Sequence, residues 1–149
     1  MTISAADFVA LDQMAARYWA LADLSEDFAL DTLFEAGAVF QLGSLVLEGL
    51  PAIEEFFANR AVAMRESNRT TRHLASNLLA VPQSADQVRV RSTVVVHAGH
   101  GEHPLLAALP SGIADFEDIC RRQADGSWLY RSRSARTVFI GPEAAFFAR

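Results

Sequence analysis

The chain has one cysteine, Cys120, so no disulfide can form within it. A lone thiol suits a reducing compartment. No apolar run approaches the length needed to span a bilayer. The N-terminal stretch, which carries Asp7, shows no basic segment followed by an apolar block, so no secretory leader is expected. These absences predict a cytoplasmic protein that does not use a membrane. There is no positive excess either, since 13 Lys and Arg against 18 Asp and Glu leave a net charge of −5. A phosphate backbone requires a basic face. The two Arg-rich stretches, 65–72 and 121–136, hold acidic residues within or beside them, which argues against nucleic acid as a partner. No repeat, low-complexity tract or linker interrupts the chain, so 1–149 is read as a single domain.

What is present is apolar mass. Hydrophobic residues make up 51% of the chain and charged ones 21%, with ten Phe among them. That many rings can fill a core, line an apolar cavity or form a subunit interface.

Periodicity orders this material. Phe8, Leu11, Ala15, Tyr18 and Ala22 recur at helical spacing, with Val9, Trp19 and Leu21 widening the stripe, and predict a helix from about Ser4 to Leu24. Ser4 with Asp7 three residues on resembles a capping box. Asp23, at the far end, opposes the helix macrodipole, so helix stability does not explain it. Ser25-Glu26-Asp27 reads as a fresh N-terminus, opening a short helix through about Phe34. Two short strands, 38–42 and 45–48, flank a Gly43-Ser44 turn. Gly49-Leu50-Pro51 then opens a third helix to about Glu66, with Ile53, Phe56, Phe57, Arg60, Ala61 and Met64 along one side.

The second half reads as strands: Thr71–Val81, Val88–Ala98, Ile113–Gln123 and Ser127–Ile140. A Gly/Pro loop over 99–110 and a hairpin at Asp125-Gly126 join the later ones. Helices early and long strands late predict an α+β fold with a largely antiparallel sheet. Along 71–81, Thr71, His73, Ala75, Asn77 and Leu79 share one face by period two, putting His73 and Asn77 roughly 13 Å apart. Small Ala75 stands between them, as in a pocket wall.

This order of elements resembles the NTF2-like superfamily, and within it the SnoaL-like branch that includes scytalone dehydratases and ketosteroid isomerases. The marks are Asp23 at the first helix's end, Asp27-Phe28, Gly49 with Ile53-Glu54-Glu55-Phe56-Phe57, and Thr71-Arg72-His73 with Asn77. Asp125-Gly126-Ser127-Trp128, followed by Arg131 and Arg133, completes the set. The resemblance implies a cone-shaped barrel of curved sheet wrapped on three helices. It also implies a buried cavity at the mouth and a homodimer or homotrimer built through the outer sheet face. In pattern the chain is most similar to scytalone dehydratases, where a His on the strand after helix three and an Asp ending helix one eliminate water without a cofactor. Those positions are His73 and Asp23. The family's tyrosine beside that Asp falls on Ala22, with Tyr18 and Tyr130 as substitutes. Its second His falls one residue from His97, and its Ser and Asn on the next strand fall on Asp115 and Glu117.

Each residue also has a plain structural reading. His73 can be a core histidine bonded to backbone, with Asp23 a helix-corner residue. Asp115 and Glu117 can form a cross-strand ladder with Arg131, Arg133 or Arg136, and the abundance of Arg favours that. Tyr18, Trp19, Phe40 and Phe57 are core residues of which some line any cavity. His97, His100 and His103 recur every third residue, but in a Gly/Pro loop that spacing fixes no geometry and no metal is expected. Cys120, despite Arg121 and Arg122 beside it, reads as a buried inert thiol.

The function expected is a cofactor-independent lyase or isomerase acting on a small hydrophobic ring or polyketide-like molecule. His73 and Asp23 are its catalytic residues; Tyr18, Trp19, Phe40, Phe57, Asn77, His97, Asp115 and Glu117 are substrate contacts. The alternatives are a non-catalytic ligand-binding module and the structural small subunit of an aromatic-ring-hydroxylating dioxygenase.

Overall fold

The computed structural model describes residues 2–142, 144 and 145. Helix α1 spans Ala5–Ala22 and α2 spans Leu50–Glu66. The strands are β1 (Phe34–Leu42), β2 (Leu45–Glu48), β3 (Arg69–Pro82), β4 (Gln87–His100), β5 (Gly112–Arg122) and β6 (Trp128–Ile140). They form one six-stranded sheet in the order β2-β1-β6-β5-β4-β3, with every neighbouring pair antiparallel except β1 and β6. The sheet is open, with β2 and β3 at its edges. This is the α+β architecture the sequence predicts. Among the described residues, no helix is long and apolar enough to cross a membrane.

Ser4 caps α1 as predicted, with Asp7 bonded to its hydroxyl rather than to its backbone N–H. Ser4 Oγ accepts the Asp7 backbone N–H at 3.1 Å and donates to Asp7 Oδ2 at 2.6 Å. Asp7 also takes Trp128 Nε1–H at 3.2 Å and Arg122 Nη1–H at 2.7 Å, so the start of α1 is pinned to the β5–β6 end of the sheet. Those donors hold the Asp7 carboxyl well below the usual range, the Arg122 hydrogen bond most of all.

The second of the three expected helices is absent: 25–34 holds only a 3₁₀ turn at Leu30–Thr32, and β1 begins at Phe34. The reason is burial. Leu33 and Phe34 are sealed in the core, and the Leu33 carbonyl takes the Tyr130 N–H at 2.8 Å, so the sheet claims residues a helix would have needed.

Leu11, Met14 and Tyr18 of α1, Ile53 and Phe57 of α2, and Phe34 and Phe40 of β1 meet inward residues of β4, β5 and β6 in one cluster. Each such side chain contributes about 1.5–3 kcal/mol on burial. Cys120 lies in this cluster with its thiol pushed up by burial, as the inert reading expects.

β3 departs from strict alternation. Ser76 pairs with Thr93 and Leu79 with Arg91, so Asn77 and Leu78 together oppose one residue of β4. Asn77 adopts φ 57°, a left-handed conformation that asparagine tolerates better than most residues. Leu78 and Ala80 then pack on the core, where unbroken alternation had assigned Leu79.

Candidate active site

A cavity of about 520 Å³ opens between the concave face of the sheet and the two helices. Tyr18, Trp19 and Ala22 of α1 line it, with Phe56, Phe57, Arg60 and Met64 of α2 and Phe40 of β1. Thr71 and His73 of β3, Val96 of β4, and Ala114 and Phe116 of β5 close it from the sheet. The wall is mostly carbon and ring, with a few polar groups placed upon it, as in an ordinary small-molecule site.

Asp23 and His73 meet on the cavity wall. α1 ends at Ala22, Asp23 follows as its C-cap, and Leu24 turns the chain away at φ 55°. Asp23 Oδ1 lies 2.6 Å from His73 Nδ1 and takes the Thr71 hydroxyl at 2.7 Å, while Oδ2 takes the His73 backbone N–H at 2.9 Å. These donors answer why a carboxylate stands against the helix dipole. Burial pushes the Asp23 carboxyl up, but the hydrogen bonds and charge from His73 and the Thr71 bond outweigh it, and the net shift is downward. An ionised carboxylate that already accepts two other protons orients Nδ1 as the protonated nitrogen, leaving Nε2 with its lone pair. The Trp19 ring stacks on the imidazole at 4.6 Å between centroids and 20° between planes, which fixes its plane.

Arg60 completes this corner. Its Nη1 donates to the Ala22 carbonyl, and its Nη2 donates to Thr71 Oγ1 at 3.5 Å. With Thr71 accepting from Arg60, the hydroxyl proton goes to Asp23. Burial lowers the Arg60 pKa, with Tyr18 and Asp23 opposing the shift; a guanidinium stays protonated regardless.

Of the other expected contacts, Tyr18, Trp19, Phe40 and Phe57 line the cavity. Asn77 does not: it is the exposed bulge residue on β3, and the bulge removes it from the register that put it beside His73. His97 faces the other side of the sheet, on a second hollow of about 310 Å³ formed with Arg72 and the 103–108 loop. Asp115 and Glu117 also point outward. Thr93 Oγ1 donates to Asp115 at 3.2 Å, Arg136 lies 3.5 Å from it, and Arg89 lies 3.2 Å from Glu117. That is the ladder reading, with Arg89 added. The inward residue of this stretch is Asp118, paired with Arg133 at 2.9 Å beneath the cavity floor.

His100 and His103 bind Ser67 O and Thr70 Oγ1 at 3.0 and 2.7 Å. Among the described residues no group of three or more His, Cys, Asp or Glu is arranged to hold a metal. Sequence reasoning did not assign Arg60 or Thr71 to the site. For Arg60 the signal was there: a charge in the middle of an apolar helical stripe.

Fold and site together define a structural class, the α+β cone with a histidine–aspartate pair on the wall of an apolar cavity. Within it, the SnoaL-like domain model matches residues 4–134, and the chain belongs to that family. Three solved structures show the same fold. ActVI-ORFA from Streptomyces coelicolor is 18% identical, with a TM-score of 0.77 over 93% of this chain and 100% of that one. A scytalone dehydratase-like protein from Novosphingobium aromaticivorans is 20% identical, with a TM-score of 0.71 over 94% and 91%. A cystatin-like protein of unknown function from Nostoc punctiforme is 20% identical, with a TM-score of 0.69 over 97% and 98%. At these identities the likeness is one of fold. No curated protein matches the chain in sequence.

Proposed function

We propose that the protein is a lyase or isomerase of the dehydratase type, acting on a small ring-containing molecule in this cavity with His73 as general base. The observation that carries the reading is the His73–Asp23 contact on the wall of an apolar hollow. His73 Nε2 takes a proton from a carbon next to a carbonyl. The C–H electron pair becomes part of a new C=C bond, and the carbonyl pair moves onto oxygen as an enolate. Asp23 holds the ring and offsets the charge of the imidazolium. Return of the proton to another carbon gives isomerisation. Collapse of the enolate with loss of a β-hydroxyl, which leaves with that proton as water, gives dehydration. Neither course requires a redox partner. The scytalone dehydratase-like neighbour supports the fold in which this chemistry is proposed.

The test is α-proton exchange of 1-tetralone in D2O, followed by NMR. The wild-type protein should accelerate exchange, and H73A should remove about two to four orders of magnitude of that acceleration. D23N should retain an intermediate rate. Equal exchange by wild type and H73A would overturn the reading and leave a pocket that only binds its ligand.

A further inference from the structure

Arg60 is a charged side chain on an apolar wall. Among the described residues it makes no ion pair: its partners are the Ala22 carbonyl and the Thr71 hydroxyl, both neutral. Placing a cation out of water beside rings costs free energy that two neutral acceptors and the more distant charge of Asp23 repay only in part. Those two acceptors do, however, fix the fork. They bind it to the end of α1 and to the strand that carries His73, so the guanidinium is held in register with the dyad. Thr71 links them directly, receiving from Arg60 and giving to Asp23. A guanidinium has five N–H donors in one plane, and these two bonds leave others on a residue that lines the cavity.

Resting on the reading of this cavity as the ligand site, we propose that Arg60 is its specificity determinant and takes the oxygen of the ligand. The ligand class that follows is a ring compound with an anionic or strongly polarised oxygen, such as an enolisable carbonyl, a phenolate or a carboxylate. Its rings lie against Phe40, Phe56, Phe57 and Phe116, and its oxygen lies on the guanidinium. In the reaction proposed above, this is the oxygen that gains charge as His73 removes the proton. A cation preorganised there stabilises that charge more than the uncharged ketone. Asn77, the substrate contact expected on the face of His73, is on the exposed bulge and cannot do it.

Equilibrium dialysis of two probes tests this without a known substrate: 2-naphthoate, and 2-methylnaphthalene, which has the same rings and no charged oxygen. Wild type should prefer 2-naphthoate by about tenfold or more, the contribution of one hydrogen bond to a charged group. R60M should lose that preference while still binding 2-methylnaphthalene. R60K keeps the charge but not the fork, and should fall between; it decides the matter if R60M does not fold. Arg69 is another arginine that lines the cavity, and R69M should keep the preference. The inference is overturned if R60M or R60K shows the wild-type ratio, or if R69M abolishes it. The proton exchange of H73A reads the catalytic proposal and the binding ratio of R60M reads this one, so the two fail separately.

Discussion

Two acid–base pairs lie within the same molecule, and they are built to opposite specifications. Asp23 and His73 meet on the cavity wall, and both oxygens of the carboxylate are occupied by donors from His73 and Thr71. Asp118 and Arg133 meet below the floor, almost fully sealed, with one 2.9 Å contact between them. Asp118 Oδ1, Arg133 Nε and Arg133 Nη2 have no partner among the described residues. What surrounds Arg133 is π-density: Tyr18, Phe116, Tyr130 and Trp19 lie 4.0, 4.7, 4.7 and 4.9 Å from its central carbon. The first pair is saturated at the acid and open at the base, as the proposed proton transfer requires. The second neutralises itself and braces the aromatic floor on which Trp19, and through it the His73 ring, rests. Charge buried with access to a ligand can do chemistry; charge buried without access can only hold structure.

Stability measurements would break this contrast most directly. D118A should lower the unfolding free energy by about 3–5 kcal/mol, since it strands the Arg133 charge in the core. The double replacement D118L/R133M should recover most of that loss. A D118A variant as stable as wild type in urea would show that the floor pair is not a brace. H73A should cost far less stability than D118A, because its partner acid keeps the Thr71 and backbone donors.

The two acids should also respond to pH with opposite sign. Asp23 titrates below its ordinary value in the folded protein, so its contribution is full above about pH 4 and is lost as the pH falls through the folded pKa. Burial pushes the Asp118 carboxyl up to about 6, against the pull of Arg133. Between the unfolded value and about 6 the folded state holds this proton when the unfolded chain has released it. Stability therefore falls as the pH rises through that window. Urea midpoints from pH 3 to 7 should lose the low-pH decline in D23N and the fall between about pH 4 and 6 in D118N. Unchanged profiles would mean that neither acid is coupled to folding as described.

The smallest effect belongs to the outer face. Arg89 and Glu117 are well exposed, and R89A or E117A should shift stability by no more than about 0.5 kcal/mol and leave probe binding and proton exchange untouched. A loss of binding in E117A would return that residue to the site.

Much of this arrangement was readable before any coordinates. Helical spacing in 5–22 and 50–66, the Ser4–Asp7 cap, the Asp125-Gly126 hairpin and the alternation of β4 all follow from nearest neighbours along the chain. The odd position of Asp23 was legible as a conflict with the helix dipole, and His73 as an imidazole on a pocket-facing strand. Asn77 was not legible, because one inserted bulge residue reverses every side chain beyond it. The sides taken by Asp115, Glu117 and Asp118 were open for a related reason: period two separates two faces without saying which is concave.

The sequence by itself determined the order of the elements, the apolar stripes and the presence of an acid and an imidazole in need of partners, since these depend on local periodicity and capping. Only the tertiary structure decided that the partners are each other, that residues 33 and 34 belong to the sheet, and that Arg60 stands at the dyad. Those outcomes arise from contacts between residues 38 to 97 positions apart, where burial and hydrogen-bond satisfaction override local preference.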